Sequence, residues 1–314
     1  PAHSDHLVYK NKAELLSGSS SLCCSLNGVW KFDYSINLSC TPDGFEALDY
    51  DCNNWDNIRV PAHIQMEGYD RPHYANVAYP WDGRQALKSG EVPTDFNPVG
   101  SYVKYFTLPK NFIKNSLILR FEGVESAAAI WLNGHYIGYC EDSFTPSEFD
   151  LTKYVVEGEN KLAIQVTKWC AGSWLEDQDF FRFSGIFRDI YLYTKQKCHL
   201  EDIEIKQVFE KGSFDNVKLN LSIDLSNNAN VALKLFDAMD FTLKSNEFKA
   251  FDEMPVVYET VNNLHSGKNK LSFDVVAPKL WSAEIPNLYT LYIEIFDGEN
   301  LLEVSTVKIG IRLF

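Results

Sequence analysis

Apolar and polar residues alternate with period two along most of this chain, the spacing that turns one face of a β-strand to a core and the other to water. The clearest run is Ser101–Leu108, followed by Leu117–Glu122 and Ala127–Leu132. Asn133-Gly134 then leads directly into His135–Tyr139. Asn-Gly between two apolar runs predicts a tight hairpin, because both central residues must take positive φ. Lys161–Lys168 and Gly185–Tyr193 read as further strands, while Ala13–Leu16 and the turn around Leu151–Tyr154 are short helix candidates. Many short strands separated by turn signals predict a β-sandwich of jelly-roll type.

A polar linker, Lys195–His199, closes this series. A second series begins at Leu200–Val208 and continues through Val217–Leu225, Val231–Phe236, Lys270–Val275, Leu288–Phe296 and Val304–Ile311. Roughly seven strands in this span predict an immunoglobulin-like sandwich, although no Cys pair is placed to bridge its sheets. The expected organisation is all-β: a jelly-roll domain over 1–197 followed by an immunoglobulin-like domain over 198–314. Between the strands of the first domain, Val60–Asn97 is rich in Pro, Gly and aromatics. It reads as a long, ordered functional loop.

Composition narrows the function. The 314 residues carry a net charge of −14, which argues against nucleic acid and anionic membrane surfaces as partners. No apolar run is long enough to span a bilayer, and residues 1–20 show no basic-then-apolar leader. Seven cysteines, an odd number without CxxC spacing, read as reduced thiols of a cytoplasmic protein. The sequons at Asn37 and Asn220 carry no weight.

Candidate chemistry concentrates in Trp174–Arg182, where Glu176, Asp177 and Asp179 cluster. Asp177 and Asp179 share one face if the segment is extended, and paired carboxylates can serve glycoside hydrolysis. The alternative is that these are loop acids pairing with Arg182 and Arg188. Glu141-Asp142 reads as a pair of solvated turn acids. None of the seven histidines has metal-ligand spacing, and neither a Gly-x-Ser-x-Gly elbow nor a phosphate-cradling glycine loop occurs. The residues alone therefore predict two sandwiches, one unusual loop and no complete catalytic site.

Several stretches resemble family-two glycoside hydrolases, in particular the N-terminal part of the lac-type β-galactosidases. They are Leu26–Phe32, Val60–Asp70, Tyr74–Pro80, Asn97–Tyr102, Phe121–Val124, Trp131–Gly134, Pro146–Asp150 and Glu157–Asn160, then Gly172–Asp179 with Ser184–Asp189, and Leu280–Tyr289. The resemblance implies a jelly roll, an immunoglobulin-like domain and then a catalytic TIM barrel. Both ends of this chain look cut relative to that pattern, so the two catalytic glutamates, and the magnesium ligands with them, would lie in the absent barrel. It implies roles for two residues here. Asn76 resembles an asparagine that reaches into the barrel's active site. Asp179 resembles an aspartate that contacts galactose and helps hold sodium; a carboxylate suits both sugar hydroxyls and a hard alkali cation. The implied partners are β-galactosides such as lactose, the barrel itself and further copies in a homo-oligomer. Trp81–Val92 and Cys23-Cys24 have no counterpart role. Two other readings compete: a freestanding carbohydrate-binding module, with Trp131, Trp169 or Trp174 as an aromatic platform, and an oligomerisation module.

Overall fold

A computed structural model of the chain describes residues 7–108, 112, 115–176, 179–210, 213–238 and 250–312. The chain divides into two compact units, one built from residues 23–194 and one from 4–22 with 195–314. Among the described residues no helix is long and apolar enough to cross a membrane.

The first unit contains, in chain order, β1 (Cys23–Ser25), β2 (Gly28–Ser35), β3 (Asp56–Val60), β4 (His73–Ala75), β5 (Val99–Thr107), β6 (Ser116–Phe121), β7 (Ala127–Leu132), β8 (His135–Cys140), β9 (Ser147–Asp150), β10 (Glu159–Thr167), β11 (Phe180–Arg182) and β12 (Ile190–Lys195). One sheet has the order β1-β12-β6-β9, the other β3-β2-β5-β10-β7-β8. From β5 onward the chain passes back and forth between them, which is the jelly-roll wrap. Alternation explains which residues meet. Trp30 and Phe32, Tyr102, Leu119 and Phe121, Ile130 and Leu132, Leu162 and Ile164, and Leu192 all point inward and form one buried core. The β7–β8 hairpin turns at Asn133 (φ 51°) and Gly134 (φ 82°), the positive pair that Asn-Gly predicts.

The opposite face of the six-stranded sheet carries a smaller core. Phe45 and Cys52 from the β2–β3 connection pack on Val103 and Ala163, with Trp55 and Trp131 against them. Lys161 is buried there, its ammonium donating to the carbonyl of Ala47. Gly185–Tyr193 does not form one strand. Gly185 takes φ 121° and makes only an isolated bridge to Glu125, and the regular strand starts at Ile190.

The second unit begins with α1 (Lys12–Ser17) and continues with β13 (Leu200–Phe209), β14 (Asn216–Leu225), β15 (Ala229–Phe236), β16 (Val256–Leu264), β17 (Gly267–Val276), β18 (Tyr289–Asp297) and β19 (Asn300–Ile309). The helix starts where the Asn11 side chain accepts from the Glu14 N–H and stops at left-handed Gly18. Tyr9 bridges Val304, and Tyr9 and Leu15 pack on Phe236, Tyr292 and Val304. Sheets β13-β14-β17 and β16-β15-β18-β19 enclose Leu219, Leu221, Ile223, Leu233, Leu291 and Ile293, a three-plus-four immunoglobulin-like sandwich. The strand β16 has no strong signature in the sequence because, as an edge strand, it buries only Leu264 fully.

Candidate functional site

The long Val60–Asn97 connection and the Cys170–Arg182 segment meet at one place in the first unit. Strands β4 and β11 form a two-stranded antiparallel ribbon with Tyr74 opposite Phe181 and their rings 5.2 Å apart. At its outer edge the Tyr74 hydroxyl donates to the Asp179 carboxylate, and the Asn76 amide donates to the same hydroxyl at 3.4 Å. The structure thus joins the two residues singled out by resemblance, Asn76 and Asp179, through Tyr74. All three are exposed. The hydrogen bond to the Asp179 carboxylate, with smaller contributions from burial and charge, raises the Tyr74 phenol pKa above its usual value, so the hydroxyl stays protonated. Tyr74 was not singled out from sequence. The available signal was that it lies two residues before Asn76, on the same side of a short strand. Asp177 lies outside the described residues, so its pairing with Asp179 has no structural description.

An aromatic nest holds the loops in place. Tyr79 stacks on Trp81 at 5.3 Å and leans on Trp174 at 4.6 Å, and the Trp174 indole donates to the carbonyl of Glu91 at 2.7 Å. None of the three tryptophans considered as a sugar platform is a free-standing exposed ring. Trp169 is buried, Trp174 belongs to the nest, and Trp131 packs on Phe45 and Tyr136.

Beneath the ribbon lies a buried polar layer. Arg182, 2% exposed, pairs with Glu176, so one loop acid is a structural partner. Arg188 instead donates to the main-chain carbonyls of Glu122 and Phe144 and stacks over Phe187. Lys168 is buried and paired with Asp70. Gln65 donates to Asp70 at 3.1 Å and to the Ser184 hydroxyl at 3.0 Å, and accepts from the Ser184 N–H. His63 sits between Phe183 and Phe187 with Nδ1 3.7 Å from the Glu125 carboxylate. Burial pushes His63 down, so it is neutral at pH 7. Burial, reinforced by Glu176 and opposed by Arg182 and Lys168, pushes the Glu125 carboxyl up to about 7. Gly185 is required here: at φ 121° a Cβ would lie 2.9 Å from the carbonyl of Ala62. Its backbone exchanges hydrogen bonds with Glu125, which locks the Ser184–Asp189 motif under the ribbon.

The expectation of two solvated turn acids at 141–142 holds only for Asp142, which accepts from the N–H groups of Phe144 and Thr145. Glu141 accepts from the Tyr139 hydroxyl at 2.7 Å and the Gly172 N–H at 3.2 Å, tying the end of β8 to the Ala171–Trp174 turn.

Among the described residues no three His, Cys, Asp or Glu side chains gather as a group that could hold a metal ion. Asp179 offers one exposed anionic oxygen beside the Tyr74 hydroxyl, so a hard cation such as sodium would need further oxygens from outside these residues.

Fold and site define an all-β, two-sandwich module whose first unit presents carboxylate, phenol and carboxamide groups suited to a hydroxyl-rich ligand. The model for the sugar binding domain of the glycosyl hydrolases family 2 matches residues 23–196, and a second model of that family matches 198–312. The chain belongs to glycosyl hydrolase family 2. Its whole length is 45% identical to a β-galactosidase of Halalkalibacterium halodurans, covering 30% of that protein, and 42% identical to one of Clostridium acetobutylicum, covering 34%. Over 99% of its length it is 40% identical to the β-galactosidase large subunit of Latilactobacillus sakei, covering 50% of it. The chain therefore spans between about a third and a half of these relatives. A β-glucuronidase structure from Bifidobacterium dentium matches 94% of this chain, and 49% of its own, with TM-score 0.68 at 19% identity, a likeness of fold alone.

Proposed function

We propose that this chain is the two-sandwich portion of a retaining β-galactosidase, an enzyme that hydrolyses terminal β-D-galactosyl residues from β-galactosides such as lactose. In this reading a TIM barrel elsewhere in the longer protein carries the two catalytic glutamates and the magnesium ligands, and the ribbon completes the sugar site. Asn76 and Asp179 contact the galactosyl unit, Tyr74 holds the Asp179 carboxylate in position, and Asp179 contributes an oxygen to a bound sodium ion. The observation that carries the reading is the exposed Asp179–Tyr74–Asn76 chain of hydrogen bonds. It sits among apolar side chains left open to solvent: Val77 is 89% and Leu175 92% exposed. These open apolar groups near the polar chain support a surface that another part of the longer protein covers. The relatives' names support the substrate class. The longer enzyme acts in the cytoplasm as a homo-oligomer.

The test compares the 314-residue chain with the full-length protein on o-nitrophenyl β-galactoside and on the corresponding β-glucuronide. The full-length protein should cleave the galactoside, with a rate that depends on sodium, and the chain alone should cleave neither. Cleavage of the glucuronide only, or galactoside cleavage by the rigorously purified chain, would refute the reading.

A further inference from the structure

The face of the six-stranded sheet away from the main core is not fully covered. Between the loop bearing Leu38 and the loop Val92–Thr94 it opens into a cleft of about 710 Å³. That size falls within the range of about 300–1,000 Å³ typical of small-molecule sites. Neither Tyr74, Asn76 nor Asp179 lines it. The sequence explains the opening. Of the outward positions of β7, Trp131 is covered by the smaller core and Ala127 is buried, while Ala129 is partly open, its methyl group leaving a low floor where a bulkier strand residue would have filled the space. Gln165 and Thr167 of the neighbouring β10 present a carboxamide and a hydroxyl on the same floor, and neither side chain is hydrogen-bonded to another described residue. The Ser101 hydroxyl, cross-strand from Gln165, is buried with no hydrogen-bond partner among the described residues. At one wall stand Tyr139 and Glu141. Glu141 is held by the Tyr139 hydroxyl and the Gly172 N–H, so its carboxylate is positioned with acceptor capacity to spare.

We infer that this cleft is a binding site for a neutral pyranose. The ligand class follows from the lining. A carboxamide, a hydroxyl and an oriented carboxylate together offer the mixed donors and acceptors that vicinal sugar hydroxyls need. The Ala129 methyl and the half-exposed Tyr139 ring suit the C–H face of a sugar ring. Glu141 is the one charged side chain among the lining residues, and its sign disfavours uronates and phosphates. The site goes beyond the reading of the ribbon, and it places a sugar in the segment that the family's sugar binding domain model covers.

The 314-residue chain is titrated with D-galactose, D-glucose and D-glucuronate by saturation-transfer NMR and calorimetry. Saturable binding of a neutral hexose in the millimolar range is expected, with glucuronate at least about tenfold weaker. Gln165→Ala should weaken binding about fivefold, the effect of one hydrogen bond. Ala129→Phe should abolish it while the circular dichroism stays unchanged. If Ala129→Phe does not fold, the pair Gln165→Ala and Thr167→Val decides. The inference is overturned by absence of saturable binding, by equal affinity for glucuronate, or by binding that survives the cleft variants and disappears in Asp179→Asn. No hydrolysis enters these measurements, so they stand or fall separately from the galactosidase reading.

Discussion

Asp70→Asn should destabilise the first unit more than its conservative chemistry suggests. The Asp70 and Lys168 side chains are 4% and 1% exposed and paired with each other. Asp70 also accepts from Gln65, and Lys168 also donates to the carbonyl of Arg71 at 3.3 Å. Burial alone drives the Lys168 ammonium toward its neutral form, and Asp70 is the main group opposing this. Removing one partner of a buried pair leaves the other charge without compensation, at a cost of about 3–5 kcal/mol. Asn retains the shape and tolerates the left-handed backbone at φ 53°, so backbone strain does not enter. The expected loss is therefore at the lower end, about 3 kcal/mol. For a unit of this size that corresponds to a fall in Tm of roughly 6–12 °C. Lys168→Met alone should cost a similar amount. The double variant should recover to within about 1–2 kcal/mol of the parent, because neither charge is then buried. The assay is urea unfolding of the four proteins, read by tryptophan fluorescence and fitted with a common slope. A loss below about 1 kcal/mol for Asp70→Asn, or a double variant as unstable as the sum of the two singles, would show that the pair is not the buried, mutually compensating unit argued here.

Two further outcomes follow from the same layer and from the ribbon. Glu125 has its folded carboxyl pKa raised from 4.5 to about 7, so the native state holds a proton that the unfolded chain has released. Stability contributed here is present below pH 4.5 and is lost as pH rises to about 7, by about 3 kcal/mol in all. Glu125→Gln should remove that loss, so the gap between variant and parent in urea unfolding should widen from pH 5 to pH 8; a gap independent of pH would contradict the assignment. In the full-length protein, Asp179→Asn should lower kcat/KM for a β-galactoside at least about tenfold at fixed sodium, far more than Asp177→Asn, because a charged acceptor and cation ligand becomes neutral. Tyr74→Phe should cause a smaller loss in the same assay; near-parental rates for both Asp179→Asn and Tyr74→Phe would remove the ribbon from the sugar site.

Much of the architecture is legible in the sequence because β-sandwiches are built from a local signal. Period-two alternation at 101–108, 161–168 and 217–225 says which side chains face inward, and Asn133-Gly134 has few conformations other than a tight turn. These are near-neighbour constraints, and a linear reading captures them. Where the local signal is weak the reading fails. The edge strand β16 hides little apolar surface, and Gly185, at φ 121° with no room for a Cβ beside the Ala62 carbonyl, interrupts what reads as a continuous strand.

The site divides along the same line. Residue type and resemblance single out Asn76 and Asp179, but the contact between them runs through Tyr74, 105 residues from Asp179, and arises only when β4 pairs with β11. Two acids of the Trp174–Arg182 cluster likewise acquire separate roles only in three dimensions: Glu176 pairs with buried Arg182 while exposed Asp179 accepts from Tyr74. Glu141 looks like a surface acid until the turn at Ala171–Trp174 brings the Gly172 N–H to it. The amino-acid sequence by itself determined the alternating strands, the tight turn and the two-sandwich order, because hydrophobic periodicity and backbone sterics act over a few residues. Which carboxylates are buried, which are offered to a ligand, and where the sheet is left open over Ala129 was decided only by tertiary structure, because burial and charge pairing depend on residues that the chain brings together from far apart.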